Sequence, residues 1–298
     1  MSRKFLITGA TGATGRAAVL DLLSAGVGVR ALIHREDDRS ESLQQHGAEI
    51  VKGDLLDFGS VRAAMEGVEG AYFVYPIMPG ILQATAYFAQ AAKEAQLATV
   101  VNMSQISARR EAASHAAQDH WIAEQVLNWS GVPTIHLRPT LFAEWALYWV
   151  AQIKTGTLSL PFGTGKHAPI AAEDQGRVIA KTLLSPVEHI GKVYPLYGPK
   201  EYTFAEIAEE IGKAIGKPLV YHQISAWDLK DRSKGIATKS SNEKRADNTL
   251  WQHFEEIAKD HQNGVFAGTD NTVECLTGQA PMSLQEFLQA HLSELTAG

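Results

Sequence analysis

The sequence has one cysteine, Cys275, in 298 residues, so no internal disulfide is available and the fold is expected to rest on a buried core in a reducing, cytoplasmic setting. With no histidine near it in sequence, Cys275 fits a small packed residue better than a nucleophile. A basic excess is also missing. The net charge of -6 and the pI near 6.0 argue against nucleic acid as a partner. No apolar run is long enough to cross a membrane: the aromatic-rich stretch from Leu141 to Ile153 is too short and contains Glu144. The chain enters its first strand within a few residues, leaving no signal-peptide pattern. No G-x-S-x-G elbow occurs, which disfavours a serine hydrolase. His115 and His120 lack the i, i+4 spacing of a helical metal pair, and no Cys/His cluster has ligand spacing, so no metal is expected.

What the sequence does have is concentrated at Lys4 to Arg16, KFLITGATGATGR. Lys4 to Thr8 is a short run of strand-forming residues that stops at Gly9, the first of three glycines spaced by three, with Gly12 and Gly15. Helix-forming residues from Ala17 to Leu23 follow, until Gly26. Glycines at a strand-to-helix turn let backbone approach a pyrophosphate, whose charge meets unpaired N–H groups and the positive end of the helix dipole. Gly9, Thr11, Gly12, Ala13, Thr14 and Gly15 are therefore candidate cofactor-binding residues.

Strands and helices then alternate. Val29 to Ile33 reads as the second strand and ends at His34 and Arg35, about 20 residues past the last glycine, where a dinucleotide fold reads the adenosine ribose. Basic residues there suit the 2′-phosphate of NADP(H) better than the bare ribose of NAD(H), which stays possible; a solvated charged loop is the plainer reading. Glu49 to Lys52 is a third strand, after which Asp54 and Leu55 are placed near an adenine or ribose edge. Ala71 to Tyr75 reads as a fully buried central strand stopped by Pro76, and this puts Val74, Tyr75 and Pro76 on the cofactor side. Ile81 to Ala95 is an amphipathic helix, Thr99 to Met103 a fifth strand running into Ser104, Asp119 to Ser130 a helix, and Thr134 to Leu137 a sixth strand. The alternation predicts an α/β fold, a doubly wound parallel Rossmann sheet over residues 1–140, completed in part by 185–197, with a smaller C-terminal α+β substrate or partner region over 141–298.

In that second region Trp145, Tyr148 and Trp149 fall at i, i+3, i+4, one helix face, which serves equally as core or as the wall of a hydrophobic substrate pocket. Pro161 to Gly165 reads as a turn, and Glu173 to Leu184 as a helix. Tyr202 to Ile215 is a helix capped by Thr203 with Glu206, Leu219 to Ile224 a strand, and Ser283 to Leu295 a helix with Ser283 and Glu286 in capping positions. Lys230 to Arg245, polar and without apolar periodicity, reads largely as a solvated loop.

Taken together, TGATGATGR at Thr8 to Arg16, VKGDLLD at Val51 to Asp57, HLRPTLFAEW at His136 to Trp145 and LTGQAPMSLQEFLQAH near the end resemble the NmrA-like group of atypical short-chain dehydrogenase/reductases. The resemblance spans nearly the whole chain and implies NADP(H) binding, with either reduction of quinone-like or dye-like acceptors or redox sensing through a regulatory protein partner. One departure is informative. Dehydrogenases of the wider superfamily carry Tyr, three residues, then Lys, whereas matching Glu124 to the Glu that usually follows puts Ala116 at the Tyr position and His120 at the Lys position. Ser104 matches the serine that ends the fifth strand, and the HWIAE run at His120 to Glu124 resembles the quinone-reductase-like members. His120 is the candidate catalytic residue, expected to exchange protons around neutrality from its ordinary pKa or, on the plainer reading, to sit on a helix surface making one backbone or water contact. The expected small molecule is a hydrophobic acceptor.

Overall fold

The computed structural model describes residues 3–233 and 243–296. Its strands are β1 (Lys4–Ile7), β2 (Gly28–Ile33), β3 (Glu49–Lys52), β4 (Gly70–Phe73), β5 (Thr99–Met103), β6 (Thr134–Pro139), β7 (Thr157–Leu160), β8 (Val193–Leu196) and β9 (Val220–Gln223). Between the early strands lie helices α1 (Ala13–Ser24), α2 (Asp38–Gln45), α3 (Phe58–Ala64), α4 (Ile81–Glu94) and α5 (His115–Ser130). The later chain adds α6 (Trp145–Tyr148), α7 (Val150–Lys154), α8 (Ala172–Leu184), α9 (Phe204–Ile215), α10 (Ala226–Ser233), α11 (Glu243–Gln262), α12 (Thr272–Thr277), α13 (Leu284–Ala290) and α14 (Leu292–Thr296).

Among the described residues seven strands form the main sheet, in the order β3-β2-β1-β4-β5-β6-β8, and every neighbouring pair is parallel. A sheet of this kind is covered on both faces, which is why its central strands β1, β4 and β5 are buried nearly throughout rather than alternating, while the edge strand β3 is largely open. Phe5, Ile7, Tyr72 and Val101 face one layer with Val19, Leu22, Val178 and Leu183. Leu6, Phe73 and Val100 face the other, with Val61, Phe88 and Leu127. Helix α8 reaches α1 closely enough that a Cβ on Gly176 would lie 2.4 Å from the Cβ of Ala17, so a larger residue there would prise the two helices apart. A third cluster, with Phe162, Phe204, Trp251 and Phe287, is the core of the C-terminal region, where β7 and β9 pair in parallel.

Several local readings change. The charged stretch after His34 and Arg35 is not simply a solvated loop: Asp37 caps α2 in a reciprocal box with Ser40, and Asp38 begins that helix. The loop expected over 230–245 begins inside α10 and ends inside α11, and 234–242 lie outside the described residues. Strand β7, which has no counterpart among the elements expected from sequence, pairs with β9, the strand expected over Leu219 to Ile224. Helix α5 starts four residues earlier than its apolar pattern suggested, because Ser114 caps it. Cys275 is exposed rather than packed. Among the described residues no helix is long and apolar enough to cross a membrane.

Candidate functional site

The carboxyl ends of β1, β4, β5 and β6 open at the reversal of strand order between β1 and β4, the position where doubly wound sheets take ligands. Gly9 turns the chain there with φ +55°, and a Cβ on it would lie 2.6 Å from Val74 Cγ1. Gly12 caps α1 without any side-chain hydrogen bond, which leaves the first-turn N–H groups of the helix to an outside acceptor. Gly15 sits inside the first turn of α1, where a Cβ would fall 2.3 Å from the carbonyl oxygen of Gly9. Thr11 and Ala13 lie on the outer side of this turn. Thr14, by contrast, is buried, and its hydroxyl is hydrogen-bonded to the Tyr72 phenol at 2.9 Å. Its side chain ties α1 to β4.

At the far end of the cradle His34 and Arg35 are exposed beyond β2. Arg35 keeps a loose 3.9 Å approach to Asp37, whose carboxylate is engaged more tightly by Arg39. Asp54 is exposed and accepts the Leu56 N–H at 2.8 Å, while Leu55 packs at the edge of the core below. This end is open and charged, as recognition of a polar adenosine moiety requires.

On the other side of β4 a cleft of about 260 Å³ runs between the two halves of the molecule. Val74, Tyr75, Pro76, Ser104, His120, Trp145 and Tyr148 all line it, as do His253, Ile257 and Phe266 from the C-terminal region. Tyr75 donates to the Pro79 carbonyl at 3.1 Å, fixing the loop after β4. Ser104 is 5 % exposed, and its Oγ has no hydrogen-bond partner among the described residues. A buried hydroxyl left in this state has hydrogen-bonding capacity to spare, and its place in the cleft lining is where a bound molecule could use it. Glycine clearance, orphaned helix N–H groups and the Ser104 hydroxyl therefore fit a dinucleotide lying from the α1 N-terminus into the cleft.

Two expectations about this cleft need correction. His120 is neither a surface residue nor a group titrating near neutrality. It is buried, and desolvation, reinforced by the neighbouring His253 and only partly opposed by Glu124, pulls its pKa down to about 4. The imidazole stays neutral at physiological pH. The helix expected to carry the three aromatics is interrupted, because the backbone breaks at Trp149, between α6 and α7; Trp145 and Trp149 both line an apolar space in the C-terminal core, but only Trp145 and Tyr148 also line the cleft. Trp145 lies in the cleft wall and packs on Phe162 and Phe254, with ring centroids 5.7 and 5.5 Å away. Tyr148 stands exposed at the rim. Trp149 lies outside the cleft lining, against Ile153 and Leu158 in the C-terminal core.

His253 is the residue that sequence reading missed. It sits on α11, far along the chain, and reaches the cleft because α11 packs across the start of α5. Gln252 accepts from the His115 N–H at 3.1 Å and donates to the Ala113 carbonyl at 2.9 Å, and Asp260 holds Arg109 through bonds of 2.8 and 2.6 Å. The His253 pKa is pushed down to about 4 by burial. No local sequence pattern announces it.

Comparison with known proteins agrees with this architecture. The chain is 28% identical over 295 residues to an NAD(P)H azoreductase of Xenophilus azovorans, covering 98% of this chain and 99% of that protein. In fold it resembles the NADPH-dependent quinone oxidoreductase QOR2 of Escherichia coli complexed with NADPH (TM-score 0.81, 24% identity, 97% and 99% of the two chains covered). A Citrobacter sp. triphenylmethane reductase complexed with NADP(H) gives a TM-score of 0.80 at 20% identity, covering 96% of this chain and 99% of that one. The NmrA-like family model matches residues 1–273, so the chain belongs to the NmrA-like family.

Proposed function

We propose that the protein is an NADP(H)-dependent oxidoreductase that reduces a hydrophobic, quinone-like or comparably conjugated acceptor. Residues 1–140, with 185–197, would form the cofactor half and the rest of 141–298 the acceptor half; the single cysteine supports a cytoplasmic setting. The observation that carries the reading is the largely apolar cleft beside the glycine cradle, with the neutral imidazoles of His120 and His253 and the unpartnered Ser104 hydroxyl among its polar groups and no Tyr/Lys acid pair among the described residues that line it. The names borne by the azoreductase, quinone reductase and dye reductase support the same chemistry.

A bound NADPH supplies the hydride. The chain's own residues do the rest. The α1 N-terminus and the glycines receive phosphate, Arg35 offers a fork of donors for a 2′-phosphate, and Ser104 turns its hydroxyl into the cleft. Trp145, Ile257 and Phe266 exclude water, which strengthens every polar contact within. His120 stays uncharged and can offer an N–H, but a neutral imidazole is a far weaker general acid than an imidazolium or the tyrosine phenol of a carbonyl reductase. Acceptors whose reduced form is a resonance-stabilised anion escape that requirement.

Steady-state NADPH oxidation with purified protein tests the reading. Quinones and azo dyes are expected to support turnover, and simple ketones almost none. Rapid turnover of unactivated ketones would overturn the acceptor class. NADPH binding with no oxidation above a buffer control for every acceptor would replace the enzyme by a cofactor-sensing regulator.

A further inference from the structure

Ser114 has two jobs that together fix the proton on His253. As N-cap of α5 its Oγ accepts the Ala117 N–H at 3.1 Å, and the same oxygen lies 2.7 Å from His253 Nδ1. A serine hydroxyl has one proton to give and two lone pairs. If His253 Nδ1 carried the ring proton, it would donate to Oγ and leave the Ser114 hydroxyl proton to find another acceptor at a residue that is 0% exposed. Leaving a buried donor unpaired is costly. The arrangement that satisfies both the buried Ser114 hydroxyl and Nδ1 has the Ser114 O–H donating to Nδ1, which puts the ring proton on Nε2, on the ring's cleft side. That nitrogen has no hydrogen-bond partner among the described residues, and the ring lines the cleft that holds His120, Ser104 and Trp145.

We infer that His253 is a substrate-contacting hydrogen-bond donor, locked in its Nε2–H tautomer by Ser114, so that α11 completes the active site with a donor for the oxygen that gains charge as the acceptor is reduced. The inference rests on the reductase reading above and deepens it by naming the acceptor's chemistry. When a quinone accepts hydride, two electrons and one proton enter the ring system, both carbonyl π bonds are given up as the ring aromatises to a hydroquinone monoanion, and the negative charge settles on the oxygen that carries no proton, while the nicotinamide is oxidised. His253 gives up no proton in that step. It stabilises the oxyanion, and the phenolate takes its proton later from solvent. A preorganised neutral donor in a water-poor cleft stabilises such a charge without reorganising. Gln252 and the Arg109–Asp260 pair, on either side of His253 along α11, tie that helix to the start of α5 and the segment before it.

The test uses the full-length protein saturated with NADP⁺ and 4-nitrophenolate as a non-reacting probe of the oxyanion, beside NADPH turnover with a quinone. His253→Phe should weaken nitrophenolate binding and lower kcat each by about tenfold or more, leaving NADPH affinity unchanged, whereas His253→Gln, which can present an amide N–H near the Nε2 position, should recover most of both. Ser114→Ala should weaken nitrophenolate binding with the imidazole still present, and Ser114→Thr should restore it, so the donor is read even if His253→Phe fails to fold. Equal losses in the Phe and Gln variants with Ser114→Ala matching Ser114→Thr, or wild-type probe affinity in His253→Phe, would overturn the inference. Wild-type protein that reduces quinones but does not bind the probe would overturn it and leave the reductase reading intact. Probe binding that depends on His253 in a protein that oxidises NADPH with no acceptor would keep the donor and remove the reductase.

Discussion

Glu124 and Arg138 form a two-point ion pair, with bonds of 2.8 and 2.5 Å, between α5 and β6. The carboxylate is 2% exposed, and it lies one helical turn beyond His120. The pair therefore pins the helix that carries a cleft imidazole to the strand that borders the cleft. Arg138→Met would strand a buried carboxylate and should lower stability by about 3 kcal/mol, while adding Glu124→Gln should recover most of the loss. Urea titrations of the single and double variants measure it. A single-variant loss no larger than that of an exposed pair would show that the contact anchors nothing.

Gly9 and Gly15 meet different limits and should fail differently. Gly9→Ala combines φ +55° with a clash against Val74 Cγ1, and should cost about 1–3 kcal/mol of stability. Gly15→Ala drives a Cβ into the Gly9 carbonyl, so the turn must shift and NADPH affinity should fall further than with Gly9→Ala. Calorimetric titration beside thermal melts separates strain from lost binding.

Arg35 is 77% exposed, with only a loose approach to Asp37. Arg35→Ala should leave the melting temperature unaltered. It should weaken NADP(H) by about 1.5–3 kcal/mol, roughly ten- to a hundredfold, and leave NAD(H) almost untouched. Parallel calorimetry with both cofactors decides the matter, and equal affinities in wild type and variant would remove the NADP preference.

Trp145 and Trp149 should now separate. Trp145→Ala opens the cleft wall and removes contacts with Phe162 and Phe254, so acceptor KM should rise alongside a stability loss of about 3 kcal/mol. Trp149→Ala should cost stability alone. A raised acceptor KM in the Trp149 variant would contradict the placement of that ring outside the cleft.

Stability should fall on the acid side. Burial holds His120, His253 and His261 at about 4, against an ordinary value of 6.5. Below pH 6.5 the unfolded chain takes up protons that the native rings refuse, so stability is complete above that value and declines as pH falls toward 4. Each ring adds roughly 1.4 kcal/mol per pH unit to the slope. Glu144 works in the opposite sense: burial raises it to about 7, so its contribution is full below 4.5 and is lost as pH rises through 7. Urea midpoints across pH 5 to 8 should therefore rise less steeply between pH 5 and 6.5 in His253→Gln, and more steeply between pH 5 and 7 in Glu144→Gln, which removes the opposing carboxyl while its carbonyl can still accept the Ala172 N–H.

The sequence by itself determined the Rossmann half and its ligand turn, because those signals are local. A glycine's freedom at Gly9, the apolar runs of β1, β4 and β5, and capping boxes at Thr203 and Ser283 are each decided within a few residues. It also put Val74 and Ser104 at the carboxyl ends of strands that parallel pairing brings to one edge, while leaving His120 and Trp145 open between that edge and a helix surface or the core. What only the tertiary structure decided depends on desolvation and on contacts between distant segments. The neutrality of His120 comes from burial beneath α11, which its neighbours in sequence do not encode. Trp145 and Trp149 part company because the backbone breaks between α6 and α7, against the helical spacing of their side chains. His253 enters the cleft because Ser114, 139 residues away in sequence, supplies the hydroxyl that holds its ring.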